Sequence, residues 1–365
     1  PRAFGEFEFV DRNNLHFPAG FDKLVRRELE SMADLFLTKE EELFLKNKLP
    51  YLPPTYIDFL KGYRFDPAEV EVEMTDGKLS IRSSGLLYRI TFWETPILAI
   101  VSELYFREMG VTPDVEYMER RLIEKATLMR EHGIVFSLFG MRRRFSFGVE
   151  DRITELLKLH SGSNFFGTSN VYLAYKHNLN PSGTHPHEWV QFHGSIYGYK
   201  MANYMAMENW INVYDGDLGT VLTDTFTTDV FLRNFSKKHA ALFTSLRQDS
   251  GDPFAFTDKA IRRYEELRIN PKLKYIVFSD SLDVEKALKI KNYCGDKIGA
   301  SFGIGTNLTN DVGNENVPLN IVMKLFRCKM TEKESWQHCI KLSDVDGKHT
   351  GSPDEIKLAL QTLGI

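Results

Sequence analysis

The segment Gly183-Thr-His-Pro-His-Glu-Trp189 holds the most informative reactive side chains of the sequence. His185 and His187, beside Glu188, admit two chemistries. As a pair they would ligate a metal at the end of a barrel strand. Singly, one histidine would act as a nucleophile toward phosphate, held by a carboxylate on its other ring nitrogen. No third metal ligand stands at a fixed spacing, and Pro186 restricts the backbone of His185. One working histidine is therefore favoured over a metal pair, with a loop of merely hydrogen-bonded histidines as the bland alternative.

Three further segments carry chemistry. Arg247-Gln-Asp-Ser-Gly-Asp-Pro253 sets a guanidinium and carboxylates beside a glycine. Arginine is a bidentate partner for carboxylate or phosphate. Asp249 or Asp252 would accept hydrogen bonds from sugar hydroxyls or hold Mg²⁺, unless the segment is only a turn with a local salt bridge. Arg142-Arg-Arg144 cannot aim three guanidiniums at one ligand, because side chains alternate on an extended chain and spread around a helix. Gly303-Ile-Gly-Thr-Asn307 would let backbone N–H groups approach an anion, with Thr306 as an extra donor. It is neither a G-x-G-x-x-G fingerprint nor a P-loop.

These segments share a position. From residue 134 onward, short apolar runs end in small, polar or charged residues and are followed by helical patterns: Ile134–Phe139 into Gly140, Ala240–Leu246 into Arg247, Tyr275–Phe278 into Ser279-Asp280, Ile298–Phe302 into Gly303. Continuous apolar runs alternating with helices point to βα units with buried parallel strands. Closed into a barrel, such units gather their post-strand segments on one face, where barrel enzymes keep their sites. Residues 1 to about 130 mix strands and amphipathic helices. Phe7-Glu-Phe-Glu-Phe-Val10 alternates like a strand with one polar face. Residues 20–48 and 117–132 read as helical, Thr38 starts a capped helix, and Asp76-Gly77 turns a hairpin.

At 365 residues and 42% hydrophobic, the chain buries a large core. A net charge of −4 gives no bulk attraction to nucleic acid. Cys294, Cys328 and Cys339 fit neither a zinc pattern nor a disulfide framework, which suits a reducing, intracellular setting. The apolar stretch Pro96–Val101 falls well short of the ~20 residues that span a bilayer. The expectation is a cytoplasmic protein with no nucleic-acid or membrane partner.

Six segments occur together and in order: Gly167-Thr-Ser-Asn170, Gly183-Thr-x-x-His-Glu-Trp189, Thr223-Asp224, Arg247-x-Asp-Ser-Gly-Asp-Pro253, Ser279-Asp-x-Leu-Asp283 and Ser301-Phe-Gly-Ile-Gly-Thr306. Together they closely resemble the nicotinate phosphoribosyltransferase family. Pro318–Leu325 and Lys341-Leu-Ser-Asp344 extend the likeness, which runs from about residue 20 onward. The resemblance implies an α/β protein: an irregular α/β barrel over 131–345, a second, mainly N-terminal α+β domain over 1–130, and a C-terminal helical tail over 346–365. It implies an ATP-dependent enzyme of the ligase class in NAD biosynthesis. Nicotinate and PRPP would become nicotinate mononucleotide and pyrophosphate, with Mg²⁺ as cofactor and ATP hydrolysed through a phosphohistidine. A homodimer with shared active sites is expected.

By position in the motifs, His187 is the phosphorylated residue and Asp224 the acid that orients it. Phe139 and Arg247 would sandwich the pyridine ring, with Arg142 as a basic residue at the same site. Asp249 and Asp280 would lie near the ribose, and Gly303 and Gly305 would form the 5′-phosphate loop. Ser169 stands where nicotinamide-using relatives carry an acid, so its hydroxyl favours a carboxylate substrate. Three departures from the family pattern stand out. An N-terminal Asp-x-Tyr-Lys-Leu-type motif is absent, and native residues are expected before Pro1; Met141 replaces a common threonine; Gln248 replaces a frequent histidine. A nicotinamide phosphoribosyltransferase, a metal-dependent barrel hydrolase using His185 and His187, and a silent ligand-binding homologue are the competing readings.

Overall fold

Two sheets organise the chain, and a computed structural model describes residues 2–313, 317–345 and 349–365 of it. The strands are β1 (Phe4–Asp11), β2 (Val70–Thr75), β3 (Lys78–Leu86), β4 (Phe136–Leu138), β5 (Phe165–Thr168), β6 (Asn180–Pro181), β7 (Thr220–Leu222), β8 (Ser245–Gln248), β9 (Tyr275–Phe278), β10 (Gly299–Ile304), β11 (Ile321–Lys329) and β12 (Gln337–His338). A curled, seven-stranded parallel sheet, half of a barrel, runs β6-β5-β4-β10-β9-β8-β7. The backbone N–H of His185 donates to Thr220 O at 3.0 Å, drawing the segment after edge strand β6 onto the opposite edge strand β7. The second sheet is antiparallel, in the order β12-β11-β1-β3-β2.

The parallel strands are short because the core needs only their buried centres. Phe136, Leu138, Leu246, Ile276, Phe278, Phe302 and Ile304 are all at most 1% exposed. Four of the following helices begin at a side-chain cap, which supplies an acceptor for a first-turn N–H. Ser146, Asn170, Asp252 and Asp283 cap the helices Phe147–Ser161, Val171–Lys176, Pro253–Glu266 and Val284–Cys294. The post-strand segments are thus held between a strand end and a helix start.

The N-terminal expectations hold with local changes. Helices cover Phe21–Ser31 and Lys39–Lys48, the latter opened by a Thr38–Glu41 capping box, and Val115–Glu131 forms a third. Asp76 and Gly77 turn the β2–β3 hairpin with φ of 50° and 73°, the left-handed pair that a two-residue hairpin demands. In β1 the polar face is not simply solvated: Arg327 clasps buried Glu6 at 2.7 and 2.9 Å.

Two expectations need correction. Strands β11 and β12 lie within the stretch assigned to the barrel, 131–345, yet β11 pairs antiparallel with β1. The second sheet therefore draws on both ends of the chain. The apolar run Ala240–Leu246 is also not one strand. Ser236 caps a helix, Lys237–Leu242, and β8 starts only at Ser245, so Arg247 lies inside the strand. The C-terminal helix Pro353–Leu363 packs Ala359, Ile356, Leu360 and Leu363 against Ala202, Ala206, Phe226 and Val230. Among the described residues, no helix is long and apolar enough to cross a membrane.

Candidate active site

The strand ends of the parallel sheet and the face of β1 and β11 enclose a cavity of about 270 Å³. That is small beside the ~300–1,000 Å³ of drug-sized ligand pockets. Phe139, Arg142, Ser169, His187 and Arg247 all line it, together with Glu94, Thr184, Glu188 and, from the antiparallel sheet, Phe7 and Lys324. Five of the residues expected from the sequence therefore meet in one place.

His187 opens the helix His187–Tyr197, with Pro186 immediately before it. Its Nε2 lies 2.9 Å from Asp224 Oδ1, 2.7 Å from Lys341 Nζ and 3.5 Å from Asp249 Oδ2. Asp224 follows β7 and is fully buried. Its Oδ2 accepts from Ser250 Oγ at 2.7 Å and pairs with Lys341 Nζ at 2.8 Å. Burial alone would favour the neutral acid, but His187 and Lys341 hold Asp224 well below the usual carboxylate range. For His187 itself, burial and the Lys341 ammonium outweigh the two carboxylates and depress its pKa. That balance favours the neutral ring, which keeps one nitrogen lone pair.

Arg247 is anchored before any ligand arrives. Nε donates to Ser279 Oγ at 2.8 Å, one terminal nitrogen to Thr184 Oγ1 at 2.6 Å and the other to Asp249 Oδ1 at 2.6 Å. A guanidinium fixed in this way presents a planar face at little further entropic cost. Burial would raise Asp249, but the Arg247 guanidinium beside it holds its carboxyl below the usual carboxylate range. Gln248, the departure from the family histidine, donates to Ser250 O and Gly251 O and so pins the turn behind Asp249.

Phe139 and the glycines explain one another. A Cβ on Gly303 would lie 2.5 Å from the Phe139 ring, and one on Gly305 would lie 3.1 Å from Phe139 O. The glycines let β10 approach the residue that walls the cavity. Ser169 follows β5 and donates its backbone N–H to Leu138 O; among the described residues its hydroxyl makes no hydrogen bond. The three arginines point to three different partners. Arg142 pairs with Glu94 at 2.7 Å in the cavity, Arg143 reaches Asn320, and Arg144 neutralises buried Glu150.

Other expected residues lie away from this wall. Asp280 follows β9, where Ser281 Oγ donates to it and Lys286 Nζ takes its carbonyl. Asp252 is a helix cap, which accounts for it without a ligand. His185 is 1% exposed, edge-on to Trp210 with ring centroids 4.6 Å apart, and burial pushes its pKa down to about 3. It is a core residue rather than half of a metal pair.

Ligand atoms of His187, Asp224 and Asp249 lie within 4.8 Å of one another, the spacing of a cation site. Its charges are already met: Lys341 pairs with Asp224 and Arg247 with Asp249. Mg²⁺ favours octahedral oxygen ligands, so this trio does not fit a Mg²⁺ cage. Sequence reasoning missed Lys341, Ser250, Ser279, Thr184 and Lys324. All five lie inside the motif segments, Lys341 at the head of Lys341-Leu-Ser-Asp344, but the motifs alone gave none of them a role. Glu188 and Lys324 give the cavity a second, titratable region. Burial and neighbouring Glu94 push Glu188 up to about 7, and burial with nearby Lys341 brings Lys324 down to about 8.

Comparison with known proteins agrees with this arrangement. Residues 1–102 match the nicotinate phosphoribosyltransferase N-terminal domain, and residues 134–362 match the nicotinate phosphoribosyltransferase family. Nicotinate phosphoribosyltransferases of Chromohalobacter salexigens and Desulforapulum autotrophicum are 44% and 45% identical, over 100% of this chain and 93% of each relative. The crystal structure of nicotinate phosphoribosyltransferase from Porphyromonas gingivalis superimposes with a TM-score of 0.98 at 66% identity, covering 100% of this chain and 94% of that one. A putative nicotinate phosphoribosyltransferase from Saccharomyces cerevisiae gives 0.93 at 34%, covering 100% and 93%. Family models over both halves and relatives matched along the full chain make this protein a member of the nicotinate phosphoribosyltransferase family.

Proposed function

We propose that this protein joins nicotinate to the phosphoribosyl group of PRPP, releasing nicotinate mononucleotide and pyrophosphate, and couples the reaction to ATP through phosphorylation of His187. The observation that carries the reading is the His187 ring: Nε2 is anchored by Asp224 and Lys341, while its other nitrogen is the one left to take a phosphoryl group. A nucleophilic histidine needs such an orienting partner on the far nitrogen.

The glycosyl step asks for different groups. Displacing pyrophosphate builds positive charge on the ribose and negative charge on the leaving group, which arginines stabilise and aspartates complement. The ring nitrogen of nicotinate is itself the nucleophile, so the protein must position it rather than deprotonate it. Phe139 offers an aromatic face, Arg247 a fixed guanidinium, and Ser169 a hydroxyl free to donate to the carboxylate. Mg²⁺ would be held by the phosphates of PRPP and ATP, where it would neutralise their charge, since the carboxylates beside His187 are already paired with cations. The enzyme acts as a cytoplasmic homodimer in NAD biosynthesis, with its phosphoryl chemistry at His187 and its glycosyl chemistry across the Phe139–Arg247 wall.

Labelling with γ-phosphate-labelled ATP tests the coupling. Wild type should take up label, and His187→Ala should take up none while retaining some ATP-independent synthesis at high PRPP. Full ATP stimulation in His187→Ala would show that another residue carries the phosphoryl group.

A further inference from the structure

Lys341 touches two members of the proposed phosphoryl-transfer set. Its neighbours Ile340 and Leu342 are 1% and 0% exposed and sit in a small apolar cluster with Val190, Ala202 and Phe226. On an extended chain, alternation sends Lys341 to the opposite side. The segment is also fastened. Lys341 exchanges backbone hydrogen bonds with Thr350 at 3.0 and 2.9 Å, Leu342 N–H donates to Thr225 O at 2.8 Å, and Asp344 N–H donates to Ser250 Oγ at 3.1 Å. Thr225 adjoins Asp224, and Ser250 hydrogen-bonds to it, so Lys341 and Asp224 are registered by backbone as well as by charge. The resulting contacts, 2.7 Å to His187 Nε2 and 2.8 Å to Asp224 Oδ2, are fixed on both sides.

We propose that Lys341 is a positioning residue that keeps His187 neutral and therefore able to accept a phosphoryl group; the inference rests on the phosphohistidine reading above. The ring is faced by Asp224 from the segment after β7, by Asp249 from the segment after β8, and by Lys341 from the segment after β12. Arg247 lies behind Asp249, and Glu188 is next in the chain. Two carboxylates beside a histidine ordinarily favour the imidazolium, which has no lone pair with which to attack phosphorus. Lys341 counters them in two ways. It occupies Asp224 Oδ2, so part of that carboxylate's charge serves the lysine instead of a second ring proton. Its ammonium also stands 2.7 Å from Nε2, where it repels the added positive charge of an imidazolium; the N–H that Nε2 gives to Asp224 is present in the neutral, nucleophilic tautomer as well. The depressed pKa of His187, caused by burial first and Lys341 second, agrees with this geometry. Lys341 contacts Nε2, the nitrogen opposite the one that attacks, and so acts through the ring.

The experiment is a titration of ¹⁵N-histidine-labelled full-length protein by NMR, with the His187 signal assigned by its loss in His187→Ala. In Lys341→Met, the His187 midpoint should rise by about 1–2 pH units, the usual effect of one nearby charge. In Lys341→Arg, which retains the charge, it should remain near the wild-type value. ATP labelling of His187 in Lys341→Met should lose its acid limb at correspondingly higher pH, whereas a merely structural role would not move that limb. An unchanged His187 midpoint in folded Lys341→Met overturns the inference, whatever the labelling shows. Absence of label in wild type overturns the phosphohistidine reading instead, and nucleophilicity as the purpose of Lys341 with it, even where the midpoint moves.

Discussion

Asp224→Asn keeps the shape of a fully buried side chain and removes the charge that His187 and Lys341 share. The carboxylate is 0% exposed and the Lys341 side chain 10%, so the variant strands an ammonium group in a low-dielectric site. Removing one partner of a buried pair costs about 3–5 kcal/mol. Adding Lys341→Met removes the stranded charge, and replacing both members of a buried ion pair is often close to neutral. The double variant should therefore lie within about 1–2 kcal/mol of wild type and be more stable than Asp224→Asn alone. The double variant should thus be about 2–4 kcal/mol more stable than Asp224→Asn alone, whereas independent sites would make it less stable than Asp224→Asn by the full cost of Lys341→Met, within ~0.5 kcal/mol. Urea unfolding at pH 7 supplies the numbers, read through tryptophan fluorescence because Trp189 and Trp210 pack together beside the site. Asp224→Asn should also slow ATP labelling of His187 by about 10- to 150-fold, the worth of one charge-assisted hydrogen bond. If the two substitutions destabilise additively, Asp224 and Lys341 do not share a buried charge and the reasoning fails.

Three further outcomes follow from the cavity wall. Ser169→Asp should depress nicotinate use and raise the nicotinamide-to-nicotinate ratio of kcat/KM, because a carboxylate there repels one substrate and accepts from the amide of the other; an unchanged ratio means Ser169 does not read the polar group. Arg247→Ala should weaken nicotinate binding by about 10- to 150-fold, measured calorimetrically on folded protein, and unaltered affinity would remove Arg247 from the substrate site. Glu188→Gln tests a raised carboxyl. Because the folded pKa, about 7, exceeds the ordinary glutamate value of 4.5, folding binds a proton, and that stabilisation is lost as pH rises toward and through 7. The variant should gain stability relative to wild type from pH 5 to pH 8, by about 1–2 kcal/mol after allowance for partial exposure; parallel stability curves across that range would contradict the shift.

Much of this arrangement was legible because it rests on local chemistry. Strand ends, capping side chains and the Asp76-Gly77 hairpin are written in contiguous residues, and the post-strand positions of Ser279-Asp280 and Gly303 followed from them, whereas His187, Asp224 and Ser169 were placed by the family motifs. What resisted reading depends on distant partners. The pairing of β11 with β1 joins residues more than 300 positions apart, and nothing in either strand alone names its neighbour. Ala240–Ala241–Leu242 are apolar enough for a buried strand, but the Ser236 cap upstream commits them to a helix. Asp252 and Asp249 look equivalent in the sequence; only the turn between them makes one a helix cap and the other the partner of Arg247. Gly303 reads as a phosphate-loop glycine, whereas the structure adds a steric reason for it in the ring of Phe139. Lys341 was visible as part of a motif but had no assignable role until its contacts with His187 and Asp224 were seen.

The most direct test of the central claim is product formation by the purified protein from PRPP with nicotinate or nicotinamide, each with and without ATP. The free hydroxyl of Ser169, the anchored guanidinium of Arg247 and the neutral His187 ring predict nicotinate mononucleotide as the main product, formed faster and to greater extent when ATP is present. Preferential formation of nicotinamide mononucleotide, or synthesis from nicotinate that is indifferent to ATP, would contradict the account.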